Sequence, residues 1–418
     1  MFVKYIELVV MSDTNRQRCV VYIGDFDLRN QNVQAHLVKN NAKILNKLGY
    51  VVAFIGVNRN ASYEEIKSFP SIDLGAGNLY LELENTLSFK GLLKYGQTTR
   101  RIVNFIDFTS HVLNVKFIIS YQSPTFSPIL KKVAKWCKKN DVKYIVNCAD
   151  ITIFESQPWL RRIAMTLNWN YLHKINKKYA DGLISVSRYI EKFYYKDGLP
   201  SIIIPPLFDD YDDTCFELSK FTTLVYAGFP FVLKKKVKTV GMKDRLDIIV
   251  DLCLKLTDKG MKYNLVIIGI TKDLYLTCIP RHKEALEKNS DIVFMGRLSH
   301  NETLKVVRNA DYMINYRDRN IMNEAGLSTK VVESVSLGTP VVMNSVGDNF
   351  LYLREGITGF ELLGNVDKDV ELLKSLCKKN YNERKNLKNS CTGDRTFSTE
   401  KYESKFHDFL IKVLSATE

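Results

Sequence analysis

Short apolar runs rich in Val and Ile alternate along the chain with longer segments whose apolar residues recur every three or four positions. RCVVYIGD (18–25) and YVVAFIGV (50–57) are almost continuously apolar over the length of a strand. Between them, QNVQAHLVKNNAKILNKLG (31–49) sets Val33, Leu37, Ala42, Leu45 and Leu48 near helical spacing and ends at Gly49. A run that is apolar throughout suits a strand covered on both faces, and two such strands joined by a helix form a βαβ unit. The pattern therefore predicts a parallel sheet flanked by helices. It continues with strands at 116–122, 143–150, 181–187 and 201–208 and helices at 127–141 and 188–196, whereas 59–115 is less regular and yields no topology.

A Pro-Pro pair at 205–206 and the acidic, turn-forming FDDYDDT (208–214) interrupt this alternation. It then restarts, with strands predicted at 221–228, 262–270, 291–298, 311–316 and 339–345 and helices at 244–260, 302–310 and 329–338. The expectation is two α/β domains of similar size, 1–205 and 206–395, followed by a closing segment at 396–418. A length of 418 residues suits two domains.

Composition narrows the class. The longest stretches without a charged residue, 117–130 and 334–347, are 14 residues each, short of the ~20 apolar residues that cross a bilayer. Residues 1–11 are too short for a secretory signal and carry Glu7 in the apolar stretch. The eight cysteines show no CxxC, so they read as reduced thiols of a cytosolic protein. The formal net charge is +14, and it is unevenly placed. Residues 1–205 hold 28 Lys+Arg against 16 Asp+Glu, and 206–418 hold 32 against 30. The excess gathers at 89–101, 131–139 and 161–178, where Lys and Arg stand beside Trp, Phe, Leu or Tyr. Such mixtures suit an anionic lipid surface, and they equally suit plain solvated helix faces.

Several chemistries are excluded. No GxGxxG follows the first strand, and there is no GxxxxGK[ST], GxSxG or HExxH. The acidic strings Asp25-Phe26-Asp27 and Asp210-Tyr211-Asp212 read as solvated turns rather than metal ligands. No nucleic-acid module is recognisable, so nucleic acid is not an expected partner. The informative segment is NEAGLSTKVVESVSLGTPVV (323–342). Thr329 and Lys330 stand where a helix begins, and free N–H groups at a helix N-terminus bind anions such as a diphosphate. Glu333, four residues after Thr329, lies on the same face and can accept both hydroxyls of a ribose. An ordinary capped helix remains the alternative.

Here the sequence resembles a known family. LVYAG (224–228) with KDRLDIIVDLCLKL (243–256), LVIIG (265–269), FMGRLS (294–299), NADYMINYR (309–317), NEAGLSTKVVESVSLGTPVV and VGDNFLYLREGITGFEL (346–362) are similar, in order, to the donor domain of glycosyltransferase family 4. Its members are retaining enzymes, and the resemblance is to the bacterial surface-polysaccharide type. YADGLISVSRYIEKFYY (179–195), IIIPPLFD (202–209) and TFSTEKYESKFHDFLIKVL (396–414) resemble the family's approach to the linker and its closing helix, which often packs back on the first domain. The resemblance covers 180–414 in motifs and 1–178 in architecture alone.

It implies the GT-B fold, two Rossmann-like α/β/α domains with a cleft between them. It implies sugar transfer, with retention, from a UDP- or GDP-linked donor to a hydroxyl of a glycan or lipid-linked acceptor. No metal or resident cofactor is implied. The protein would be cytoplasmic, or peripheral on the inner face of the membrane. Carried over by position, Gly228 lets backbone approach the phosphates, Lys243 and Lys330 neutralise the diphosphate with Thr329, Glu333 binds the ribose, and Arg297 joins the donor site. Asp150 is the candidate for acceptor activation. The chain departs from the pattern at four places: Phe229 replaces an Arg, Ala325 the first acidic residue of the motif, Ala149 the His of a His-Asp pair, and Asp25 the second glycine of the N-terminal turn. Two rivals follow, a donor-binding subunit impaired in catalysis and a nucleotide-sugar epimerase of the same fold.

Overall fold

The computed structural model describes residues 16–29, 33–58, 77–84, 95–121, 126–151, 159–209, 216–231 and 244–416. The chain divides into two compact units, one of residues 1–207 with 402–418, the other of residues 208–401.

The first unit runs β1 (Arg18–Gly24), α1 (Val33–Lys47), β2 (Val51–Asn58), β3 (Leu79–Glu84), α2 (Tyr95–Val112), β4 (Asn114–Tyr121), α3 (Ser127–Lys139), β5 (Lys143–Cys148), α4 (Trp159–Tyr179), β6 (Gly182–Ser185), α5 (Arg188–Phe193) and β7 (Ser201–Ile203). Its seven strands pair in the order β3-β2-β1-β4-β5-β6-β7 and are all parallel. Between Cys19 and Ile23 every residue of β1 is buried, as a central strand covered on both faces requires. The buried face of α1 runs through Ala35, Val38, Ala42, Ile44 and Leu45, while Val33 at the helix start is exposed. The expected stripe through Val33 and Leu37 is thus rotated, because Asn40 and Asn41 turn inward. Asn40 donates to the Leu207 carbonyl and Asn41 to the Tyr22 hydroxyl.

The second unit runs β8 (Thr223–Ala227), α6 (Leu246–Asp258), β9 (Asn264–Ile268), α7 (Lys272–Cys278), α8 (Lys283–Lys288), β10 (Ile292–Gly296), α9 (His300–Asn309), β11 (Tyr312–Asn315), α10 (Ile321–Ala325), α11 (Thr329–Ser336), β12 (Val341–Asn344), β13 (Gly359–Leu362), α12 (Val366–Cys377) and α13 (Tyr381–Asp394). Its six strands are parallel in the order β10-β9-β8-β11-β12-β13. Buried polar groups clamp α13 onto this sheet. Arg384 pairs with Asp311 at 2.8 Å, and Lys388 donates to the Ala310 carbonyl at 2.7 Å and to Thr339 Oγ1 at 2.8 Å. Burial pushes the Lys388 ammonium down to about 7, against the pull of Asp311.

The chain closes with α14 (Glu403–Ser415), which belongs to the first unit. Phe406, Phe409, Leu410 and Val413 join the core formed by β1, β2 and α1. Gly182 permits this approach, since a Cβ there would lie 2.7 Å from Val413 and 3.0 Å from Phe409. Seven cysteines are free thiols among the described residues, and no described helix is long and apolar enough to cross a membrane.

Candidate functional site

In each sheet the chain builds outward from its first strand in one direction and then in the other. The gap between the strands where this reversal occurs opens a crevice at their carboxyl ends, where parallel α/β sheets bind ligands. In the second unit that gap lies between β8 and β11.

Glycines line this edge. Gly228, Gly269 and Gly296, at the ends of β8, β9 and β10, all have positive φ, at 149°, 104° and 67°. The Gly228 N–H donates to the Ile268 carbonyl and the Gly269 N–H to the Gly296 carbonyl. A Cβ on Gly269 would lie 2.5 Å from the Gly228 oxygen, and one on Gly228 would collide with the Lys330 ammonium. Only glycine lets Lys330 from α11 reach across the end of β8.

Lys330 is held there by Asp244, on the turn entering α6. Lys330 Nζ donates to Asp244 Oδ2 at 2.6 Å, and Arg317 Nε, from the segment after β11, donates to Oδ1 at 2.9 Å. The Tyr226 hydroxyl adds a third bond to Asp244 at 3.1 Å, and the ammonium lies 5.1 Å from the centre of the Tyr226 ring. Asp244 is 1% exposed and Arg317 4%, while Lys330 keeps 25% of its side chain in contact with solvent. Burial alone would raise the Asp244 carboxyl. The charges of Lys330 and Arg317, with the bonds from Lys330 and Tyr226, carry it well below the ordinary carboxylate range. One carboxylate against two cations leaves a net positive charge on the exposed member. Arg317 is fixed in turn by Asn344 at the end of β12, which accepts its N–H at 2.9 Å and donates to its carbonyl at 2.8 Å.

The start of α11 adds to this field. Ser328 occupies the N-cap without making a side-chain cap bond, and its hydroxyl is buried without a partner. The helix dipole and first-turn amides thus join Lys330 in favouring an anion. Glu333 follows one turn later. Burial pushes its carboxyl up to about 7, with Lys330 pulling the other way.

Of the residues expected at the donor site, Gly228 and Lys330 meet directly, and Thr329 and Glu333 lie on the same helix as Lys330. Arg297 is exposed on the turn after Gly296. Lys243 lies outside the described residues, as do 234–238 and the acidic string at 210–212. Ala325 is fully buried, and the Glu324 carboxylate is bonded to the Gly347 N–H at 3.0 Å and to Arg319 at 3.3 Å. Phe229 is exposed beside Gly228, edge-on to Phe231. Asp150 lies in the first unit, exposed two residues past β5. No group of His, Cys, Asp and Glu suited to a metal ion occurs among the described residues. Sequence reasoning missed Asp244, Arg317 and Tyr226. The only signal was that Asp244 follows an expected lysine.

Residues 235–392 match the family model of Glycosyl transferases group 1. No curated protein sequence matches the chain. Among solved structures, the chain is similar to sucrose-phosphate synthase from Thermosynechococcus elongatus, with a TM-score of 0.61 at 12% identity over 96% of this chain and all of that one. It is similar to HepE from Anabaena in complex with UDP and glucose, with a TM-score of 0.60 at 10% identity over 95% of this chain and all of the other. It is also similar to the pneumococcal O-GlcNAc transferase GtfA in complex with UDP and GlcNAc, with a TM-score of 0.56 at 11% identity over 96% and 100%. At these identities the likeness establishes the fold, two parallel sheets of seven and six strands in the GT-B arrangement of elements. The group 1 match, which begins after Gly228 but spans Asp244, Arg317, Lys330 and Glu333, supports a glycosyltransferase.

Proposed function

We propose that the protein is a retaining glycosyltransferase of the family 4 type. It moves a sugar from a nucleoside-diphosphate sugar to a hydroxyl of a lipid-linked glycan in surface-polysaccharide assembly. The observation that carries this reading is the Lys330 ammonium, fixed over the Gly228 backbone by Asp244 at the N-terminus of α11. As the glycosidic bond to the donor breaks, positive charge develops on the sugar and negative charge on the departing diphosphate. Lys330, the α11 amides and Lys243 meet the negative charge without a metal, and donors placed in advance cost little reorganisation at the transition state. Glu333 accepts the ribose hydroxyls. UDP in complexes of HepE and GtfA supports a uridine donor. Asp150, on the first unit, is assigned to the acceptor hydroxyl.

The test has two stages. Thermal melts against UDP, GDP and ADP and their sugars should single out one nucleotide by a raised midpoint, since a ligand that binds only the folded state stabilises it. Incubation with that donor, with and without a polyprenyl-diphosphate-linked sugar, should then give acceptor-dependent transfer with the donor's anomeric configuration. An inverted product would overturn the retaining mechanism. A donor converted to its epimer without acceptor would assign the epimerase reading. The buried Ala325 favours one rival, a binding subunit. Donor binding with neither transfer nor slow donor hydrolysis would establish it.

A further inference from the structure

In most helices of this chain the apolar stripe faces the core, but in the first half of α4 it faces outward. The buried residues of α4 are Trp169, Leu172, His173, Ile175 and Asn176, all in its second half. Of its first ten residues, 159–168, only Met165 is even partly covered. Trp159, Ile163 and Leu167 follow one another at intervals of four and so stand in one row. They are 67%, 50% and 64% exposed, and Leu160 beside them is 64% exposed. Four large apolar side chains left in water, three of them on one helix row, cost free energy unless something covers them.

Charge says what that something is. The same row continues through Tyr171 to Lys174 and Lys178, both exposed. Neither α4 nor α3, which packs beside it, contains a single Asp or Glu. Together they carry Lys131, Lys132, Lys135, Lys138 and Lys139 on α3 and Arg161, Arg162, Lys174, Lys177 and Lys178 on α4. Lys131 ties the two helices, donating to the Tyr171 hydroxyl at 2.8 Å. A protein partner with a purely apolar groove would leave these cations unmatched, and an acidic peptide would leave Trp159, Ile163 and Leu167 uncovered. A bilayer with anionic headgroups answers both, because acyl chains take the apolar row while lipid phosphates face the lysines.

We propose that the outward face of α4, with the basic face of α3, docks the protein on an anionic membrane surface without crossing it. The apolar N-terminal half of α4 enters the headgroup boundary with Trp159 at interface depth, and Lys174, Lys177 and Lys178 stay among the phosphates. This docking stands independently of the glycosyl-transfer reading, and its test requires no activity.

The full chain should co-float with vesicles of phosphatidylcholine mixed with phosphatidylglycerol at low salt, and less at high salt, where charge attraction is screened. It should bind pure phosphatidylcholine far more weakly. Trp159 emission should shift to the blue on binding, and Trp159→Phe should remove that shift. The double variant Ile163→Asp, Leu167→Asp changes only exposed positions, so it should melt like the parent and yet not float. Lys174→Gln and Lys178→Gln should each weaken binding to the charged vesicles by about fivefold. Failure of the parent to bind charged vesicles at low salt overturns the proposal, as does undiminished binding by the Asp double variant. A dimer in vesicle-free buffer that Leu167→Asp dissociates would also overturn it, by giving this face to a second copy of the chain.

Discussion

The same strand order gives the two units equivalent crevices, yet the more basic unit carries the acidic edge and the nearly neutral unit the basic one. The first unit holds 30 Lys+Arg against 19 Asp+Glu, a net +11, and the second 30 against 27, a net +3. At the carboxyl edge of the first sheet, however, stand Asp25 after β1 and Asp150 after β5. Between them Tyr121 ends β4. Burial pushes its phenol up, and Tyr22, Asp150, Cys148 and Asp25 push it further. At the matching edge of the second sheet stand Lys330 and Arg317. The glycine that ends the first strand of each sheet shows the contrast at one position. The space beside Gly24 is filled by Tyr121, whose carbonyl oxygen and Cβ lie 2.6 and 2.7 Å from where a Cβ would sit, whereas the space beside Gly228 holds a lysine ammonium. Net charge therefore describes the outer helices, and the ligand edges are set by a few residues at the strand ends. A basic edge suits a diphosphate, and an acidic edge suits a hydroxyl that must give up a proton.

The largest effect should come from removing the anchor of the basic edge. Asp244→Ala leaves the buried Arg317 without its carboxylate, which costs about 3–5 kcal/mol, and the melting midpoint should fall by roughly 10 °C. Lys330→Ala should separate function from folding. Arg317 still satisfies Asp244 and the lysine is partly exposed, so the midpoint should change little while turnover falls about 10²–10³-fold, as when one preorganised donor is lost from a charge-stabilising site. Normal transfer by a well-folded Lys330→Ala protein would remove the basic edge from catalysis. On the acidic edge of the first sheet, Asp150→Asn should lower transfer about 10²-fold, within the range of general-base contributions, with nucleotide binding intact by calorimetry. Equal loss of both would mean that Asp150 does not serve the acceptor.

How much of this contrast the sequence reveals depends on the spacing of the partners. Strands such as Cys19–Ile23 and Leu224–Ala227 are continuously apolar and legible, because both their faces are covered. Helix α2 was obscured because Thr98, Thr99 and Thr109 lie on its buried side. Thr99 and Thr109 satisfy their hydroxyls on carbonyls four residues back, at Tyr95 and Phe105. Strand β3 was obscured likewise, since Glu82 is buried there against Arg29 at 2.9 Å. At the site, Thr329, Lys330 and Glu333 were legible as one face of one helix. The clamp on Lys330 was not, since Asp244 lies 73 residues from Arg317 and 86 from Lys330, and only the sheet order brings them together.

The basic edge also carries a titration. The Glu333 carboxyl holds its proton to about pH 7 instead of the usual 4.5. Between those values the folded chain keeps a proton that the unfolded chain has released, so stability should fall as pH rises through this window. A ribose whose hydroxyls donate to this group needs it ionised, so nucleotide affinity should run the other way and be about tenfold weaker at pH 6 than at pH 8. Glu333→Gln should flatten both slopes, measured by calorimetry and by melts across pH. A pH-dependent affinity that survives the substitution would mean that another group controls donor binding.

The smallest expected effect tests the position at which the two sheets differ by a single neighbour. After its glycine, β1 continues into Asp25 and β8 into Phe229, which stands where the family that the sequence resembles has an arginine. Phe229 is 40% exposed and touches Phe231 edge-on with ring centres 6.3 Å apart. Phe229→Arg would lose that contact, worth about 0.5–1.5 kcal/mol, and add a partly solvated cation beside Gly228. An exposed charge pair contributes about 0.2–1 kcal/mol, so nucleoside-diphosphate affinity should rise by no more than about fivefold. Binding of the free nucleoside, which lacks phosphates, should not change. If the arginine instead weakens the diphosphate and the nucleoside alike, the ring itself lies against the donor. The second edge would then hold its ligand by an apolar surface as well as by Lys330, a feature for which Asp25 gives the first edge no counterpart.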